Sequence, residues 1–149
     1  MSLSDNEQLV LDHLNLTWNA GEFSTLRGLV TSGFYYQTTF TDDILNLDQY
    51  IGYVEVFRDA IPDLSVVIEE TMVKGDRVMS HASFSGVVEK TIFGIPVSDR
   101  IIAFPAVSFW ELRHGKIASL DTLIDITGIS RQVGIPISPE LTLKQLDKS

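Results

Sequence analysis

Val107-Ser-Phe-Trp-Glu-Leu-Arg-His-Gly-Lys-Ile117 and, directly after it, Ala118-Ser-Leu-Asp-Thr-Leu-Ile-Asp125 read as the two strands of one long hairpin, and the fold follows from them. His114-Gly115-Lys116 makes the turn, with Gly115 where a positive φ costs least. Alternation puts Val107, Phe109 and Glu111 on one face and Ser108, Trp110 and Leu112 on the other. In the return strand Leu120, Thr122 and Ile124 share one face; Asp121, Leu123 and Asp125 share the other. Carboxylates among apolar residues near a strand end suit the wall of a small-molecule pocket or an ordinary half-exposed sheet. Which face looks inward decides between them.

Working outward, residues 64–73 and 77–86 read as two further strands around a Lys74-Gly75-Asp76 turn, and residues 100–112 lead into the hairpin. A loop or strand from Val87 carries Phe93-Gly94-Ile95-Pro96. Upstream the period changes to helical. Ser4 with Glu7 three residues later is a capping box, and Leu9, Val10, His13, Leu14, Thr17 and Trp18 mark one face of a helix over 4–20. A short helix is expected over 22–30, a strand over 34–40, and a third helix over 47–60 that stops before Pro62. Residues 127–133 form a last short helix. Helices first and then consecutive antiparallel strands is an α+β order. A strongly curved antiparallel sheet with three helices on its open side makes a cone around an apolar cavity, the default place for a ligand. The division expected is a single domain over 1–134 and a C-terminal tail over 135–149.

Composition narrows the function. The chain has 149 residues, 44% of them hydrophobic, which suits one folded domain. Its net charge of −9 argues against nucleic acid or an anionic membrane surface as a partner. No apolar run approaches the ~18 residues a bilayer needs. The acidic start, with Asp5, Glu7 and Asp12, lacks the basic opening of a signal peptide, so a cytoplasmic location is expected. There is no cysteine, which removes disulfides and thiol chemistry, and His13, His81 and His114 show no metal-ligand spacing. Phosphate-binding and serine-nucleophile motifs are missing too. The expected chemistry therefore uses no metal and no cofactor.

Several short motifs now stand in order. Trp18-Asn19-Ala20-Gly21-Glu22 follows the amphipathic helix, then come Ile61-Pro62-Asp63-Leu64, Lys74-Gly75-Asp76-Arg77-Val78, Phe93-Gly94-Ile95-Pro96, Gly115-Lys116-Ile117 and Asp125-Ile126-Thr127-Gly128-Ile129. With Arg131-Gln132-Val133-Gly134, this series resembles the SnoaL-like polyketide cyclases, a branch of the nuclear-transport-factor-2-like superfamily. The likeness runs from about Glu7 to Gly134. The resemblance implies a cone-shaped α+β barrel and a cofactor-free cyclase in which an Asp removes a proton flanked by carbonyls and the enolate attacks intramolecularly. Such a carboxylate needs an apolar cavity, where desolvation raises its pKa towards the working pH.

Counted without gaps, the family's acid/base Asp falls on Thr122 and its strand His on Ser108. The Arg and Asp of the related limonene-epoxide hydrolases fall on His81 and Ser83, and Tyr36 and Thr38 fall where those relatives hold a water. The catalytic candidates are therefore His81, whose strand face that register turns into the cone, Asp121 and Asp125. Against these stand plainer roles: a core histidine, a solvated or dimer-edge carboxylate, and the N-cap of the last helix. Trp18, Tyr36, Thr38, Ser83, Ser108, Trp110 and Thr122 are the expected ligand-lining residues, with Tyr36 a donor to a ligand carbonyl.

Three functions fit. The first is a cyclase or isomerase acting on a small apolar carbonyl compound. The second is a non-catalytic module that holds a small apolar or aromatic molecule in the same cone. The third, compatible with both, is a homodimer through the hairpin's other face.

Overall fold

The computed structural model describes residues 4–137, so most of the expected tail lies outside the described residues. Helix α1 (Asp5–Leu14) runs without a break into a π-helical turn (Asn15–Asn19). The one-turn helix α2 (Leu26–Leu29) precedes strands β1 (Val30–Thr38) and β2 (Thr41–Leu45), and then α3 (Leu47–Ala60). Strands β3 (Ser65–Lys74), β4 (Arg77–Gly86), β5 (Ile102–Arg113) and β6 (Lys116–Ile124) follow, and α4 (Ile126–Val133) ends the described chain. This is the expected α+β order.

Local chemistry explains the boundaries. The Ser4–Glu7 capping box forms, with the Glu7 amide donating to Ser4 Oγ at 3.1 Å. A second box, Asn46–Gln49, starts α3. In the β5–β6 turn both His114 (φ 52°) and Gly115 (φ 73°) are left-handed, the pattern of the two-residue turns that match strand twist. The expected 22–30 helix shrinks to α2 because the Ser24 and Thr25 amides turn back to the Glu22 carboxylate ahead of it and Val30 begins β1, which pairs with β6.

The six strands are ordered β2-β1-β6-β5-β4-β3. The β1–β6 pairing is parallel and the rest are antiparallel, so the sheet is mixed and not wholly antiparallel as expected. The helical excursion of α3 and the β3–β5 meander separate β1 from β6 in sequence, which is what a parallel pairing requires. One sheet face lies under α1 and α3 and carries the aromatic core: Tyr36, Tyr50, Tyr53, Phe57, Trp110 and Phe40 are all almost completely buried. No helix among the described residues is long and apolar enough to cross a membrane.

Candidate functional site

Alternation along five strands sets the inner face. A single cross-strand row runs Thr38–Thr122–Ser108–Ser80–Thr71 from β1 to β3, a line of hydroxyl side chains under the helices. The neighbouring inner row is Tyr36–Leu120–Trp110–Val78–Val73. Each hydroxyl in the first row has a partner. Ser108 Oγ and Thr122 Oγ1 lie 2.9 Å apart, Thr38 Oγ1 lies 3.1 Å from the Tyr53 hydroxyl, the Trp110 indole donates to Ser80 Oγ at 2.8 Å, and Thr71 donates to Glu7 Oε2 at 2.6 Å. Buried polar groups carry a large cost when left unpaired, so this row is held in one arrangement.

From above, α3 presents Tyr50 and Tyr53 and the first helix presents His13 and Trp18. His13 Nε2 and the Tyr50 hydroxyl share a hydrogen bond of 3.0 Å, and the Trp18 indole donates to the same hydroxyl at 3.1 Å. The Tyr36 and Tyr50 rings are 4.4 Å apart. Burial pushes the Tyr36 phenol up, with the Thr38, Thr122 and Tyr53 hydroxyls drawing it partly back. Burial pushes the Tyr50 and Tyr53 phenols well up. All three remain protonated donors at neutral pH. Trp18 sits in the π-turn, whose last carbonyls are capped by Arg58: its guanidinium donates to Trp18 O at 2.6 Å and Asn19 O at 3.0 Å. A Cβ at Gly21 (φ 65°) would stand 2.6 Å from Arg58 Nε, so a side chain there would have to displace the capping guanidinium.

Between these layers lies a cavity of about 10 Å³, lined by Tyr36, Ser108, Thr122 and the apolar groups of Trp18, Phe84 and Phe104 among others. That is room for roughly one water molecule. No charged side chain lines it.

Tyr36, Thr38, Ser108, Thr122, Trp18 and Trp110 are thus brought together on the inner side. The three catalytic candidates are not. His81 and Ser83 alternate with buried Ser80, Ala82 and Phe84 and lie on the opposite, outer face, half-buried. The expectation that their face looks into the cone is corrected. Val78, Ala82 and Phe84 form the buried face of β4, so His81, which alternates with them, points outward beside Met79. Asp121 is also outward, paired across strands with Gln37 and Phe109. Asp125 is exposed and caps α4, its Oδ1 accepting from the Gly128 amide at 2.9 Å. Its place outside the cavity corrects the expectation of a catalytic role.

His13, Tyr50 and Tyr53 belong to the site but were not among the expected residues. His13 is completely buried, and desolvation holds its pKa down to about 3. The unfolded chain takes up this proton near 6.5 and the folded chain only near 3, so between those values the unfolded state binds more protons. Stability from this group is fully present above pH 6.5 and is lost as pH falls through that window, by up to about 1.4 kcal/mol per unit. The urea midpoint is expected to drop between pH 7 and pH 5, and to drop less in His13→Gln. An equal drop in both proteins would remove His13 as the cause.

A family model described as SnoaL-like polyketide cyclase matches residues 8–133. Among solved structures, a Jannaschia sp. CCS1 protein assigned as a SnoaL-like polyketide cyclase aligns with TM-score 0.78 at 24% identity, over 91% of this chain and 99% of that one. TsrD from Streptomyces laurentii aligns with TM-score 0.76 at 21% identity, over 90% and 98%. A SnoaL-like polyketide cyclase from Agrobacterium tumefaciens C58 aligns with TM-score 0.75 at 20% identity, over 89% and 100%. These likenesses speak to fold. Comparison with curated proteins gives no match.

Proposed function

We propose that this chain, which belongs to the SnoaL-like polyketide cyclase family, holds a small apolar or aromatic carbonyl compound in its cone without the carboxylate-driven proton transfer of a cyclase. One observation carries the reading. Where the family register puts the base stands Thr122, paired with Ser108 at 2.9 Å in a cavity that no charged side chain lines. A carbon acid cannot lose a proton there without an acceptor of suitable pKa. The groups that do converge suit recognition: the hydroxyls of Tyr36 and Thr122 as donors to a carbonyl oxygen, and the rings of Trp18, Phe84 and Phe104 as walls.

At about 10 Å³ the cavity admits a ligand only when a lining side chain swings out. Ile124, at 9% exposure the least buried of them, is the one with solvent to move into. The partners in this reading are the carbonyl compound inside and a second copy of the chain outside.

Proton NMR of a panel of aryl ketones in D₂O tests binding and chemistry together. Wild-type protein is expected to broaden and shift the ketone signals while exchange α to the carbonyl stays at the buffer rate. Tyr36→Phe is expected to weaken binding roughly five-fold, the worth of one neutral hydrogen bond. Accelerated exchange would make the chain an acid–base enzyme after all. Unchanged ketone signals throughout would overturn the binding reading.

A further inference from the structure

Phe93-Gly94-Ile95-Pro96 takes no part in the hydroxyl row or in the cavity lining. It forms the tip of the 87–101 segment that joins β4 to β5. Ile92 and Ile95 exchange both backbone hydrogen bonds, at 3.0 and 2.7 Å, and close a two-residue turn on Phe93 (φ 47°) and Gly94 (φ 82°). Both central residues of such a turn are left-handed, which favours Asn, Asp or Gly at the first of them. Here that place holds a bulky ring, where a left-handed backbone is strained. Among the described residues His114 is the one other left-handed residue that is not glycine, and it is exposed, whereas Phe93 is 2% exposed.

What the ring touches offsets the strain. Phe93 stacks on Tyr53, with ring planes 14° apart and centroids 5.5 Å apart, and meets Phe57 at 5.1 Å and Phe40 at 5.6 Å. Phe57 lines the cavity, and the Tyr53 hydroxyl is bonded to Thr38 in the hydroxyl row. Phe93 therefore backs the α3 wall of the cavity. The legs of its segment fix it there. The Ser98 amide donates to Val88 O at 3.0 Å, the Val88 amide to Ser98 Oγ at 3.1 Å, and the Glu89 amide to Ala60 O, at the end of α3, at 2.8 Å. Every residue that lines the cavity stands on a helix, the π-turn or a strand, whose backbone ladder holds it. The turn under Phe93 has two such bonds and a strained residue, so it is the part of the surround that yields at least cost.

We propose that Phe93 is the stop that sets ligand size in this cone: by backing Tyr53 and Phe57 it admits a single-ring carbonyl compound and excludes a two-ring one. The assignment rests on the ligand-holding reading above and adds the residue that decides which members of that class fit.

Proton NMR of acetophenone and 2-acetonaphthone tests it on wild type, Phe93→Ala and Leu26→Ala, the last a control truncated at a buried position that lines no part of the cavity. Wild type and control are expected to bind acetophenone and to leave 2-acetonaphthone free. Phe93→Ala is expected to keep acetophenone and to bind 2-acetonaphthone at least about tenfold more tightly than wild type, because a deleted buried ring leaves dry space for another. Phe93→Leu should show a smaller gain, and it serves if the alanine variant does not fold. Phe93→Gly is expected to melt above Phe93→Ala, since glycine carries no penalty at this φ; the reverse order would overturn the yielding turn. Acetophenone bound by wild type, with the same size limit in the Phe93 variants, keeps the ligand-holding reading and overturns Phe93 as the stop. Two-ring binding by wild type, or a gain shared by Leu26→Ala, overturns it as well. If wild type binds neither ketone, the ligand-holding reading fails on its own: 2-acetonaphthone bound by Phe93→Ala alone still makes Phe93 the plug, and no binding by any variant overturns both.

Discussion

Thr122→Asp is expected to destabilise the protein by about 2–4 kcal/mol at neutral pH, and the loss is expected to shrink as the pH is lowered. Thr122 is 5% exposed and hydrogen-bonded to Ser108, with rings and aliphatic groups on its other sides. A carboxylate there exchanges water for a cavity with at most a few hydroxyl donors, so its charged form is penalised and its pKa rises. The sign follows. Above the ordinary carboxylate range the unfolded variant is ionised while the folded one holds its proton, so folding takes up a proton and stability falls with rising pH. The difference in urea midpoint between variant and wild type should therefore widen from pH 4.5 to pH 7.5. A variant as stable as wild type at pH 7.5 would show that the position is not enclosed as described. The variant also restores a carboxylate to the position that the family register gives the base. Ketone α-exchange that appears only in Thr122→Asp would show that this one hydroxyl separates a binding interior from a reactive one.

Trp18→Ala is expected to cost about 3–5 kcal/mol, the range for removing a large buried ring. Trp18 packs edge-on against Tyr53, Phe57 and Phe84 with ring centroids 5.2–6.0 Å away, and its indole N–H is one of two groups fixing the Tyr50 hydroxyl. For a chain of this length the melting temperature should fall by on the order of 10 °C or more. The void left has the shape of an indole. Added indole should recover part of the loss by mass action, which an unpacked or rearranged core would not allow. A loss below about 1 kcal/mol would mean that Trp18 is a rim residue and not part of the wall. Trp18→Phe, which keeps one ring, should fall between the two and guards against an alanine variant that does not fold.

Much of the fold was readable in advance because alternation and capping are local. The separation of Phe109 from Ser108 and Trp110 onto opposite faces, Asp125 as an N-cap, the Ser4–Glu7 box and the His114-Gly115 turn all follow from residues within a few positions of each other. Three things were not readable, each for a stated reason. The parallel β1–β6 pairing is set by strands some eighty positions apart, and no local pattern distinguishes a strand that will pair in parallel. The family register turns His81 inward, although Val78, Ala82 and Phe84 around it mark the other face as the core. Tyr50, Tyr53 and His13 lie on the apolar stripes of helices, where a hydroxyl or an imidazole looks like ordinary core until the hydroxyl row opposite is in place. The signal that could have found them was the density of hydrogen-bonding groups on two stripes that face one sheet.

The margins of the sheet have a bearing on self-association that differs from that of its faces. A bare strand margin invites another chain to continue the ladder without limit, and this chain blunts both of its own. β3 carries a bulge between Ile68 and Glu70 that leaves Glu69 without a cross-strand partner, and the strand is tied to α1 through Thr71 and Glu7. β2 spans only Thr41–Leu45, with Asp42 and Asp43 exposed along it. Carboxylates on both margins would repel their counterparts on any copy approaching strand to strand. Growth into fibrils by strand-to-strand pairing is thereby disfavoured.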